Sequence, residues 1–130
     1  MKAQITVEYL LLSSIALVLI SFSIIALANI KDRSEKAYDA ILFKSSVSEL
    51  ANSIGEVCAL GNGNKQAVYL KRNMSIEGGA SSSGFYAVFT DAISGLSIVE
   101  NTFCEVNDLT NAYGKTEVEN EKGEIKIRKP

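Results

Sequence analysis

The sequence predicts an α+β fold in which one long N-terminal helix packs, over its C-terminal half, on a small antiparallel β-sheet. Three observations point there. All nine Gly lie at or after Gly55 and the single Pro is Pro130, so no helix breaker interrupts the first 54 residues. Tyr9 to Ile30 carries no charge at all. From Gln66 onward apolar and polar residues alternate with the period of half-buried strands. At 130 residues the chain has room for one small domain and an appendage.

The uncharged run comes first. Residues 1–30 hold only two charged side chains, Lys2 and Glu8, whereas residues 31–130 hold the other 12 basic and 14 acidic groups. The 22 residues from Tyr9 to Ile30 make about 33 Å of helix, the thickness of a bilayer's hydrocarbon core. A cleaved secretory signal has a shorter apolar core behind a basic lead, and here Lys2 is the only basic side chain before the run. A remainder of about 100 residues can hardly cover a helix that is apolar on every side. The run therefore reads as a retained membrane-spanning or bundle-buried helix. Beyond it, KDRSEKAYDA is polar and rich in helix formers, and Phe43, Val47, Leu50, Ile54 and Val57 then recur at spacings of four and three. That stripe offers one apolar face to a sheet.

Gly61-Asn62-Gly63-Asn64 ends the helix with residues that tolerate positive φ; it lacks the third glycine and the preceding strand of a dinucleotide fingerprint. QAVYLKRNMSIE is the first strand, with GGASSSG read as a flexible loop after it. FYAVFTD and LSIVENTF follow, and KTEVENEKGEIKIRK turns at Gly123 as an edge hairpin whose Lys/Glu run guards against unwanted pairing. The sheet has four or five strands on this count.

Composition removes several functions. With no His there is no Ser-His-Asp or Cys-His system, no His-ligated metal and no imidazole proton shuttle. A net charge of −2 gives no broad basic surface, so nucleic acid is not an expected partner. No paired carboxylates or nucleophile and base stand out, and we expect no catalytic residue, metal, cofactor or small-molecule substrate. Cys58 and Cys104 are too few for a structural zinc site. A disulfide between them is the economical reading, closing a loop of roughly 47 residues and contributing about 4 kcal/mol, with two unlinked buried thiols as the alternative. Such a bond persists outside the reducing cytosol. Asn73-Met74-Ser75 is an N-glycosylation sequon, which makes Asn73 a candidate modification site on an external surface.

The segment Lys2-Ala3-Gln4-Ile5-Thr6-Val7-Glu8-Tyr9-Leu10 resembles the class III signal peptides of archaeal type IV pilin-like proteins. Their pattern is a short basic leader, then Gln-x-Ser-x-Glu and an apolar helix. Gln4 and Glu8 fall at the first and fifth positions of the mature pattern, while Thr6 replaces the usual Ser and Ala3 the frequent Gly. The likeness covers about ten residues, or about thirty with the helix. It implies a leader at residues 1–3, a helix at 4–57 with a membrane span at 9–30, and a β-rich extracellular head at 58–130. It further implies cleavage between Ala3 and Gln4 by a prepilin peptidase, then assembly with identical or related subunits by an assembly ATPase and a platform protein.

In that scheme the helix exchanges lipid for its neighbours' apolar surfaces, where Ser13, Ser14, Ser21 and Ser23 permit close approach. Alternatively, their hydroxyls simply bond back to the helix. The Glu8 carboxylate would pair with the new α-amine of a neighbour's Gln4 and set axial register; its alternative is a headgroup-level carboxylate favoured by the helix dipole. Charge bias conflicts with the implied orientation: Lys31, Arg33 and Lys36 follow the span and only Lys2 precedes it. The cysteine pair, the sequon and the leader pattern favour a C-terminal region outside the cell. The expectation is a single-pass membrane protein that becomes part of an extracellular filament. A non-polymerising anchored protein with a binding head is the alternative, and a small membrane-bound enzyme the third reading.

Overall fold

The computed structural model describes residues 2–129, and the side chains of residues 6–129. A single helix, α1, runs Lys2–Leu60 and is followed by six strands: β1 Lys65–Ser81, β2 Gly84–Asp91, β3 Ser97–Thr102, β4 Glu105–Val106, β5 Leu109–Glu121 and β6 Glu124–Arg128. The fold class is the expected one, with one short strand, β4, beyond those the sequence suggests. By its internal contacts the chain divides into two units, residues 1–38 and 39–130. The helix segment from Asp39 is grouped with the strands, in keeping with the expected packing of the helix's C-terminal half on the sheet.

Within the second unit the sheet order is β3-β2-β1-β5-β6-β4. Every neighbouring pair is antiparallel except β4–β6, which is parallel. The helical stripe Phe43, Val47, Leu50, Ile54 and Val57 is fully buried. It meets Val68, Leu70, Met74 and Ile76 of β1, Ala87 and Phe89 of β2, Val118 of β5 and Ile125 and Ile127 of β6 in one core. Burial of a large aliphatic or aromatic side chain contributes about 1.5–3 kcal/mol, so this seam holds helix to sheet.

The helix stops at Gly61, whose φ of 85° suits glycine. Asn64 then donates its side-chain amide to the carbonyls of Leu60 at 2.8 Å and Gly61 at 3.0 Å, satisfying acceptors the helix leaves open. The Cys58–Cys104 disulfide joins the last helical turn to the β3–β4 connection, with Cα atoms 6.0 Å apart.

Two expectations are corrected. GGASSSG is not a flexible loop: β1 continues through it to Ser81, opposite Gly84, so only Ser82 and Ser83 turn. The glycines serve close approach instead. A Cβ on Gly78 would stand 1.7 Å from the Val106 carbonyl oxygen, and the Tyr86 ring lies over Gly79. Nor is KTEVENEKGEIKIRK an edge hairpin, because β5 lies between β1 and β6. Its charges instead form cross-strand pairs: Lys65–Glu119 at 2.9 Å, Arg128–Glu121 at 2.6 Å and Arg128–Glu119 at 3.5 Å. The outer edge of β6 is covered by β4 and by Asn107, which accepts from the Ile127 amide at 2.7 Å and donates its own amide to the Ile125 carbonyl at 2.9 Å.

Candidate functional site

The first unit is a helix with no apolar core to lie against. Leu17, Val18, Leu19 and Ile20 are 65%, 53%, 62% and 55% exposed. Four consecutive residues sweep a full turn, so the apolar surface has no polar side. Phe22, Ile24, Ile25, Leu27 and Ile30 continue it, and the helix is long and apolar enough to cross a membrane. Such a surface is stable only where something apolar surrounds it.

The polar atoms in this span are handled locally. Ser13 donates to the Leu10 carbonyl at 2.9 Å, Ser14 to Leu11 at 2.8 Å, Ser21 to Leu17 at 2.8 Å and Ser23 to Leu19 at 2.9 Å. The hydroxyls thus bond back to the helix, as in the simpler of the two sequence readings, and bring no unmet donor to an apolar environment. The side chains stay small, which leaves close approach by a neighbour open.

Glu8 is exposed, and among the described residues it has no ion-pair partner. The expected cleavage at Ala3 and Gln4, and the role of Gln4 in assembly, concern side chains that lie outside the described residues. Immediately past the span, Lys31 pairs with Glu35 at 3.8 Å and Lys36 with Asp32 at 2.8 Å. The Asp32 carboxylate holds Lys36 above its ordinary 10.5, by hydrogen bond first and charge second. These i,i+4 pairs are exposed and support the helix locally, while the charge bias, which counts Lys and Arg, still runs against an external C-terminal region.

Asn73 lies in β1 where the register with β5 shifts between Leu70 and Met74. It is half-buried, and its amide nitrogen donates to Asn111 Oδ1 at 3.4 Å. Asn111 itself has a φ of 59°.

One polar cluster escaped the sequence reading. Arg72 donates through Nη1 to Asp39 Oδ1 at 3.0 Å and through Nε to Asp91 Oδ1 at 3.2 Å. Asp91 is buried at the end of β2, where its other oxygen accepts the backbone amide of Ser94 at 2.9 Å and also the Ser94 hydroxyl. Burial pushes the Asp91 carboxyl up, but the Ser94 bonds and the Arg72 charge outweigh it and hold the group below its usual 3.8. The cluster ties the start of the packed helix segment to the sheet. Among the described residues no group of His, Cys, Asp and Glu is arranged to hold a metal ion.

No protein-family model, curated protein or solved structure matches the chain. The functional reading therefore rests on the chemistry of the residues above.

Proposed function

We propose that this chain is a structural subunit of an archaeal type IV pilus-like filament, held in the membrane by its N-terminal helix before assembly. The observation that carries this reading is the uncharged run from Tyr9 to Ile30, apolar around its whole circumference and preceded by Glu8. A helix of that kind is at home in lipid and equally among copies of itself, because lipid tails are as apolar as leucine. Assembly then depends on close packing and on polar pairing. A carboxylate at the start of the span, costing up to about 2.5–3.5 kcal/mol if carried to mid-bilayer, gives the neighbour's α-amine a reason to align beside it.

The partners in this reading are identical or related subunits, the membrane, a prepilin peptidase, an assembly ATPase and a platform protein. The strand-rich unit would face the exterior, where the Cys58–Cys104 bond persists. The test has two arms. Mass spectrometry of the native N-terminus is expected to find a chain that starts at Gln4, and one that starts at Met1 in the filament fraction would overturn the reading. Glu8→Ala is expected to be processed and retained in the membrane yet missing from sheared filaments. Unaltered filament content would count against the pairing, and unaltered surface display with no filaments in either strain would favour the non-polymerising anchored protein.

A further inference from the structure

The two edges of the sheet are treated differently. The β6 edge is closed by β4 and Asn107, whereas among the described residues β3 has no strand on its outer side. In a strand paired on one side only, alternate residues direct their N–H and C=O groups outward. Of the features that usually blunt such an edge, β3 carries a single charge, Glu100; it has no Pro, no Lys and no bulge, and its register with β2 runs unbroken from Phe85↔Thr102 to Thr90↔Ser97. Val99 is 61% exposed on it, and Phe103, just past its end, is 91% exposed.

Beside this edge lies an open groove of about 530 Å³ between β3 and the packed segment of α1. Ala51, Gly55 and Ala59 form its helical wall, and Glu100, Thr102 and Phe103 its strand wall. Ile98 packs on the core, so the two-residue period puts Glu100 and Thr102 on the same helix-facing side. Gly55 leaves the helical wall low, since a Cβ there would meet nothing within 4 Å. A strand added to β3 would send alternate side chains into this space.

We propose that the β3 edge and its groove form a docking site for an extended peptide strand of a partner protein, with apolar helix-facing side chains flanked by Lys or Arg. The sign follows from the lining, where among the described residues Glu56 and Glu100 carry the charge and no Lys or Arg offsets them. A second copy pairing through its own β3 would bring another Glu100 to an already acidic edge, which disfavours it. Main-chain bonds would supply affinity and the groove selectivity, as in other strand-addition sites. The inference is independent of filament formation.

The test uses the full chain in detergent micelles and a labelled peptide, KTVTVTK, in fluorescence anisotropy, with amide hydrogen exchange mapping the site. Binding with slowed exchange at alternate amides of residues 97–102 is expected. Two analogues N-methylated on alternate amides should separate, one abolishing binding and the other leaving it intact, because only one set of amides faces β3. Gly55→Leu should weaken binding about tenfold by filling the groove. Glu100→Lys should weaken KTVTVTK about threefold and improve the acidic peptide ETVTVTE. No binding at about 1 mM peptide, equal binding of the two methylated analogues, or concentration-dependent protection of β3 without peptide would each overturn the proposal.

Discussion

At the residue scale the Arg72 cluster is the most demanding feature. A buried carboxylate without its cation is costly, and removing one member of a buried charged pair typically destabilises by about 3–5 kcal/mol. Arg72→Met is therefore expected to lower the stability of the full chain in micelles by about 3 kcal/mol at neutral pH, read by urea titration with tyrosine circular dichroism. The pH dependence has a defined sign. Asp91 titrates below 3.8 in the folded chain, so its contribution is present above that value and is lost as pH falls through the lower folded one. In Arg72→Met the opposing effect of burial gains ground, and the acid loss should begin at higher pH. An unchanged acid limb would remove the Arg72–Asp91 contact from the account. This cluster was invisible in the sequence because its members are separated by 19 and 33 positions and obey no local period.

At the element scale the periodic features were readable and the pairwise ones were not. The stripe from Phe43 to Val57 announced the packed helix face because a helix repeats its burial every three or four residues. The uncharged span was equally plain, as was Glu8, since neither depends on contacts elsewhere. Gly78 and Gly79 misled: glycine signals backbone freedom and close approach alike, and only the distant Val106 and Tyr86 decide which. A parallel pairing of two residues, as in β4–β6, leaves no pattern at all. The groove at β3 was hidden for the same reason, because its helical wall is more than forty positions from its strand wall. Gly78→Ala should displace β4, destabilising the fold by about 1–3 kcal/mol and raising amide exchange in β6, whereas Gly55→Ala should do neither. Equal effects of the two would argue against the close approach as the reason for Gly78.

For the whole molecule, the two units ask for different solvents: the first carries the uncharged run from Tyr9 to Ile30, and the second has a charged surface over a buried core. The first demand is testable without any assumption about assembly. Leu19→Lys, at the middle of the uncharged run, should raise the cost of insertion by about 2.5–3.5 kcal/mol and shift the chain from the membrane pellet toward the soluble fraction after alkaline extraction. Unchanged partitioning would show that the run does not sit at mid-bilayer depth. The position of the disulfide also has a mechanical consequence. Tension applied along the span would reach the second unit at Asp39, load the Arg72 clamp first and then strip the helix from the sheet turn by turn. At Cys58 the peeling would meet a covalent stop anchored beside β3, so the stretch that can be drawn out before the cross-link bears the load ends at that residue.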